Sequence, residues 1–151
     1  MKTDDVFVHS IEQGIDKDAV LEAVVREIKK IASRSVILFV RYDDLLPISG
    51  IGEGIEDSLS GLRISLKESS VFRSVYNTKK EFSGTIPSTD MVLDSFIRHF
   101  AGNKPRSIVV VPSMIDDEIF SMIYAEETKA VDDLKKISKA MAKAFDRLLN
   151  S

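Results

Sequence analysis

The sequence SIVVVPSMIDDEIFSMIYAE, residues 107–126, contains two apolar segments separated by an acidic turn. Residues 107–114 and 119–126 are each predicted to be a strand, and residues 115–118 are expected to join them as a hairpin. Apolar side chains occur on both faces of both strands. Helices are therefore expected to cover the sheet on both sides.

An amphipathic helix is predicted near each end of the chain. The first extends over residues 16–32, with Asp16 as its N-cap and apolar residues at helical spacing. The last extends over residues 131–149 and follows Thr128, which we expect to cap it. Arg34, a basic residue late in the first segment, suits the negative end of a helix dipole.

Shorter elements are predicted between these two helices. They are a strand at 35–42, an edge strand at 46–52, a helix capped by Ser70, a strand at 81–86 and a helix that begins at 87–89. Pro47 favours the edge position because proline lacks a main-chain donor. This order predicts an α/β (α+β) fold, a three-layer α/β/α sandwich with a mostly antiparallel central sheet.

Composition favours one globular domain in a reducing compartment. The 151 residues carry a formal net charge of −3, so no bulk charge favours a nucleic acid partner. The absence of cysteine excludes thioether-linked bilins and iron–sulfur clusters, and no cofactor is identified. No apolar stretch could span a membrane and the N-terminus is too polar for a signal peptide, so a cytoplasmic location is expected. We expect an arm or short helix at 1–15 and a single domain at 16–151.

Over residues 16–150 the chain resembles a GAF domain. Residues 65–84, SLKESSVFRSVYNTKKEFSG, are similar to the short helix and short strand of that family. Residues 107–126 resemble its terminal hairpin, in which a proline such as Pro112 often ends the first strand. Residues 131–149 match its closing helix. PAS, profilin-like and longin-like domains share these elements and are the alternative folds.

The resemblance implies a non-catalytic sensory or regulatory domain with fused or associated signalling domains. Family members bind ligands between the sheet and the helices on the side opposite the termini. In this chain, aromatic rings would enclose a planar small molecule, and Tyr76 and Ser83 would orient it. Alternatively, these residues fill a closed core, and the domain is a ligand-free interaction or dimerisation module. The expected pocket residues are Phe72, Val75, Tyr76, Phe82, Ser83, Phe96, Phe100, Val110, Pro112 and Tyr124.

No metal-binding set is recognised in the sequence. Its two histidines, His9 and His99, are too few for a zinc site in a chain without cysteine. Adjacent aspartates occur at 43–44, 116–117 and 132–133. We expect them in turns or at a helix start, since neighbouring side chains do not converge on one cation.

No catalytic set is recognised either. Ser83, Ser88 and Ser113 have no evident histidine base. The glycine-rich residues 50–54 are one residue short of a dinucleotide loop and are expected to form a flexible turn. One GAF subfamily reduces free methionine sulfoxide with cysteines, and a chain without thiols should lack that activity. An unrecognised hydrolase or transferase is the least favoured hypothesis.

The last helix has an apolar stripe opposite a basic face. Leu134, Ile137, Met141 and Leu148 are placed either to pair two copies in a homodimer or to pack on the chain's own sheet. The basic face includes a row of lysines, and a solvated surface is expected there. Its lysines are Lys129, Lys135, Lys136, Lys139 and Lys143.

Overall fold

The computed structural model describes residues 10–52, 55, 59, 61–100 and 104–150. Its strands are β1 (Ser35–Arg41), β2 (Asp44–Ile51), β3 (Ile64–Ser65), β4 (Phe82–Gly84), β5 (Ile108–Ile115) and β6 (Glu118–Glu126). They form one antiparallel sheet in the order β3-β2-β1-β6-β5-β4. The predicted hairpin is confirmed as β5 and β6, and β1 pairs with the far side of β6.

Helices cover both faces of this sheet. They are α1 (Lys17–Lys29), α2 (Val71–Thr78), α3 (Met91–Arg98) and α4 (Val131–Leu149). α1 and α4 pack on one face, whereas α2 and α3 pack on the other, so the predicted three-layer sandwich is confirmed. Residues 10–12 are also helical, and Ile11 is fully buried beside α1 and α4. Residues 1–9 of the predicted arm lie outside the described residues.

Alternation along β5 divides its side chains between two cores. Val109 and Val111 pack with α1 and α4, whereas Ile108 and Val110 pack with α2 and α3. All four are at most 1% exposed. Because each fully buried side chain of this size contributes about 1.5–3 kcal/mol, removal of either helical layer would expose a strongly apolar surface.

Side chains cap the helices where the sequence predicts caps for α1 and α2. Asp16 accepts a hydrogen bond from the Ala19 N–H, and Ser70 accepts one from the Arg73 N–H. For α3, the predicted start at 87–89 is wrong, because Asp90 is the N-cap and accepts from the Leu93 N–H.

The predicted Thr128 cap of α4 is also wrong. The helix begins at Val131, two residues later than a Thr128 cap allows, and Ala130 occupies the N-cap position without a side-chain hydrogen bond. The Thr128 Oγ1 instead accepts from the Ala130 N–H. Its oxygen therefore closes a local turn before the helix begins.

The predicted edge strand is β2, and it lies between β1 and β3 rather than at the edge. β3 pairs with β2 only at Asp44 and Leu45. Pro47, opposite Leu38 of β1, therefore lies beyond the last β3 pair. Proline is tolerated there because no described strand requires its missing N–H on that side.

A two-residue turn joins β5 to β6. Asp116 and Asp117 have φ values of 52° and 66°, the left-handed region that a type I′ turn requires at both central positions. The predicted turn role of this acidic pair is thus confirmed, and aspartate takes the place of the more usual glycine.

Arg34 lies over the end of β2, where a glycine allows close approach. A Cβ added to Gly52 would lie 2.5 Å from Arg34 Cγ and 2.7 Å from the Ser33 carbonyl oxygen, at a φ of +109°. The sequence pattern predicts that Arg34 complements the dipole of the first helix. However, α1 ends at Lys29, so Arg34 lies five residues beyond the helix. Its side chain is packed against the sheet end.

We expect Gly52→Ala to destabilise the fold by about 2–4 kcal/mol, because the new methyl group would displace Arg34 at an unfavourable φ. Gly61→Ala is the matched control, since Gly61 also has a positive φ (+79°) but nothing lies within 4 Å of the added Cβ. That control should lose only about 1 kcal/mol. Urea unfolding of both variants measures the difference, and equal losses would contradict the close-packing argument.

Candidate ligand-binding site

The structure brings six of the ten predicted pocket residues together between the sheet and the α2/α3 layer. Phe96 is at the centre, with its ring centroid 5.3 Å from Phe72, 5.0 Å from Phe100 and 4.9 Å from Tyr124, all edge to face. Such contacts stabilise aromatic pairs beyond their buried area. The six buried residues are Phe72, Val75, Phe96, Phe100, Val110 and Tyr124.

Of the other four predicted pocket residues, Phe82 lies at the margin of this core and three lie elsewhere. Phe82 is half-buried and packs against this aromatic core from β4. Tyr76 and Ser83 are exposed, and neither reaches the aromatic rings in the described contacts. Pro112 lines a cleft beside α4. The ligand-binding role of the ten residues stays a prediction.

A cleft of about 310 Å³ opens into the α2/α3 side between β3 and α3. Phe96 lies in its wall and connects the cleft with the aromatic core. Sequence analysis missed this cleft because β3 has only two residues and shows no periodic pattern. The lining residues are Leu62, Arg63, Ile64, Ser65, Glu68, Met91, Val92, Ser95 and Phe96.

A buried polar cluster lies at the end of the sheet where β6 leaves it. Arg34 donates from Nε to Glu126 Oε1 at 2.6 Å and from Nη2 to Oε2 at 3.0 Å. The Tyr124 hydroxyl donates to the same Oε2 at 2.5 Å. Glu126 is 2% exposed, so this carboxylate depends on its bidentate partner and the phenol for stabilisation.

Burial, followed by the charge and hydrogen bond of Glu126, raises the pKa of Tyr124 above its ordinary value of 10.0. Above about pH 10 the unfolded chain releases this proton while the folded chain retains it, so unfolding becomes more favourable. The stability contribution of Tyr124 is therefore present below that pH and is lost above it.

We expect Tyr124→Phe to cost about 1.5–3 kcal/mol at neutral pH, because a hydrogen bond to a buried carboxylate is lost. The stability gap between wild type and this variant should narrow above about pH 10, by up to about 1.4 kcal/mol per pH unit. Denaturant unfolding across pH 7–11 measures it. Tyr42→Phe, which changes an 86% exposed tyrosine, is the control with no such narrowing. A constant gap for Tyr124→Phe would contradict the raised pKa.

The apolar stripe of α4 faces the chain's own core. Leu134, Ile137 and Met141 are at most 1% exposed, and Leu148 packs against the same core from a partly buried position. Phe145, on the same face, contacts Phe39 edge to face at 5.7 Å. These side chains are thus occupied within one chain, and the homodimer stays a prediction.

The other candidate catalytic and metal-binding residues form no such site in the described part of the chain. His99 is exposed at the C-cap of α3, and Ser113 shares a 2.6 Å hydrogen bond with Ser138 rather than with a histidine. His9 lies outside the described residues. Among the residues that the structure describes, no three His, Asp or Glu side chains converge as a metal site.

No model of a protein family and no curated protein matches the sequence, but solved structures match its fold. A methyl-accepting chemotaxis protein, residues 122 to 287, has a TM-score of 0.74 at 17% identity over 96% of this chain and 99% of that one. The GAF domain of an Acinetobacter phosphoenolpyruvate-protein phosphotransferase has a TM-score of 0.72 at 13% identity, covering 98% and 93%. The reduced fRMsr of Staphylococcus aureus has a TM-score of 0.69 at 12% identity, covering 95% and 96%.

These likenesses show that the chain has the fold of GAF domains, as the sequence resemblance implied. Identities of this size establish the fold alone. In the described part of the chain, no helix combines the length and the apolar character needed to cross a bilayer.

Proposed function

We propose that this chain is a non-catalytic sensory or regulatory domain that binds a small molecule at the β3/α3 cleft. The observation that carries the proposal is the position of Phe96, which lies both in the wall of that cleft and at the centre of the aromatic core. A ligand in the cleft would therefore contact the core directly. The cleft has the size of small-molecule sites in proteins.

The lining of the cleft favours a compact ligand with an apolar body and polar substituents. Met91 and Val92 offer apolar contacts beside Phe96, while Ser65 and Ser95 supply hydroxyl groups. Arg63, 3.5 Å from the Asp44 carboxylate, has a 68% exposed side chain at the rim. Its guanidinium remains accessible to an acceptor on the ligand.

A physical route leads from this cleft towards the terminal helices. Movement of Phe96 would press on Tyr124, whose hydroxyl is bonded to Glu126 at the end of β6. Glu126 also pairs with Arg34, which immediately precedes β1, and the chain continues from Glu126 towards α4. Ligand binding would thus bias the packing of α4, as coupling between two sites requires.

The two ends of the domain are joined, which supports a relay to fused or associated signalling domains. Arg147 of α4 donates to the carbonyl oxygens of Glu12 and Gly14. Lys143 lies 3.6 Å from the Glu12 carboxylate. A shift of α4 would therefore also move the segment that leads into α1.

The composition supports a non-catalytic role. The chain has no cysteine, so the thiol-dependent reduction of methionine sulfoxide in one GAF subfamily has no nucleophile here. The acidic pairs at 116–117 and 132–133 lie in a turn and in the first turn of α4, as expected of structural residues. We propose a cytoplasmic location, because a chain without cysteine suits a reducing compartment.

A ligand-free interaction module is the second candidate. The observation that favours it is the tight packing of Phe72, Phe96, Phe100 and Tyr124, which fills the space between the sheet and the α2/α3 layer. In that case, the cleft stays empty and partner proteins bind the outer surface.

A thermal-shift screen with nucleotides and small metabolites distinguishes the two candidates. A ligand at about 100 times its Kd should add about 2.7 kcal/mol of stability to the wild-type protein. Ser95→Leu should abolish this shift because the larger side chain occupies the cleft. Ser74→Leu makes the same change on the exposed side of α2 and should leave the shift unchanged.

Mass spectrometry of the purified protein tests for a retained ligand in parallel. If a ligand raised the unfolding temperature of Ser95→Leu as much as that of wild type, the ligand would bind elsewhere and the cleft assignment would be wrong. No response across the screen, together with no retained molecule, would favour the interaction module.

A further inference from the structure

A second cleft lies on the opposite side of the domain, between α4 and the free edge of β5. β4 pairs with β5 only at Ile108, Val109 and Val110, so residues of β5 beyond Val110 have no β4 partner. α4 passes beside this edge, and the residues that precede β4 form the opposite wall. The cleft has a volume of about 400 Å³, within the range of small-molecule sites.

The floor of this cleft is apolar and needs no further hydrogen bonds. Val111, Ile115 and Ala142 line it. The Ser138 hydroxyl donates to the Pro112 carbonyl oxygen at 2.7 Å and shares a 2.6 Å hydrogen bond with Ser113. The buried hydroxyls are therefore satisfied, and an apolar ligand body would leave no polar group unpaired.

Lysines surround the mouth of the cleft, and ion pairs occupy most of them. Hydrogen bonding of the Glu81 carboxylate to main chain and then to Lys135 lowers its pKa, which keeps that pair charged. In the described residues, only Lys139 of the four lining lysines has no carboxylate within ion-pair distance. The occupied pairs are Lys79–Asp117 at 3.4 Å, Lys135–Glu81 at 3.2 Å and Lys143–Glu12 at 3.6 Å.

The remaining lining carboxylates belong to Asp116 and Asp146. Asp116 lies in the β5–β6 turn, and Asp146 accepts a hydrogen bond from the Asn150 amide at 2.7 Å. Among the described residues, four lysines and three carboxylates line the cleft, and two of these lysines pair with carboxylates outside the lining, Asp117 and Glu12. Lys139, the lining lysine with no carboxylate partner among the described residues, lies one helical turn before Ala142 in the apolar floor.

We propose that this cleft is a second binding site, specific for amphipathic monocarboxylates. The apolar body of the ligand packs against Met114, Ile115 and Ala142, and its carboxylate pairs with the ammonium group of Lys139. The site is separated from the β3/α3 cleft by the central sheet, so occupation of one does not require the other. This site would give Lys139 a binding role, whereas the sequence pattern predicts only a solvated surface for the lysines of α4.

Two probes with the same apolar body test the specificity: 4-phenylbutyrate and 4-phenylbutylamine. We expect saturable binding of 4-phenylbutyrate to the full chain by amide chemical-shift titration, with the largest shifts in β5 and α4. The amine should bind at least about tenfold more weakly, since it would meet Lys139 with a like charge.

Two substitutions test the location. Lys139→Gln should weaken 4-phenylbutyrate binding about fivefold, as loss of one exposed ion pair would. Lys136→Gln removes the same charge from a position of α4 outside the cleft, and it should have no comparable effect. Ala142→Leu should abolish binding by filling the cleft, and its thermal unfolding shows whether the fold is retained.

Several results would overturn the proposal. Equal affinity for the carboxylate and the amine would rule out recognition by Lys139. Equal losses of 4-phenylbutyrate affinity in Lys139→Gln and Lys136→Gln would indicate general charge attraction. Amide chemical-shift changes confined to β3 and α3 would place the probe in the other cleft. Absence of saturable binding to the wild-type protein would reject the second site and leave the β3/α3 proposal untouched.

Discussion

Burial of the central sheet on both faces is the constraint on which the rest of the structure depends. β5, β6 and β1 have apolar side chains above and below the sheet, so one helical layer cannot cover them. α1 and α4 cover one face, and α2 and α3 cover the other. Because interiors are close-packed, each helical layer is held in position by the strand residues beneath it. Each of the two clefts lies beside a short edge strand, β4 or β3.

Tyr124 connects the aromatic core with the charged end of the sheet. Its ring lies 4.9 Å from that of Phe96, and its hydroxyl reaches Glu126, which Arg34 neutralises. An apolar cluster can adjust by small rotations, whereas a buried bidentate ion pair tolerates little displacement. This contrast makes the end of β6 more rigid than the aromatic core beside it.

Sequence patterns predicted the fold far better than the sites. Six of the ten expected pocket residues meet in one core, because their spacing on α2, α3, β5 and β6 decides which layer they face. Tyr76, Ser83 and Pro112 do not join them. Tyr76 lies on the exposed side of α2, Ser83 is exposed on β4, and Pro112 lines the cleft beside α4. The β3/α3 cleft was missed because β3 has only two residues and no periodic signal.

By itself, the sequence determined the hairpin, the two long helices, the caps at Asp16 and Ser70, and the need for two helical layers. These features follow from local periodicity and hydrogen bonding between near neighbours. Only the tertiary structure decided that Arg34 pairs with Glu126, 92 residues away, and that Ser138 meets Pro112 across the edge of β5. Such contacts depend on strand order and helix placement, and no local pattern encodes the distance between residues that the folded chain brings together.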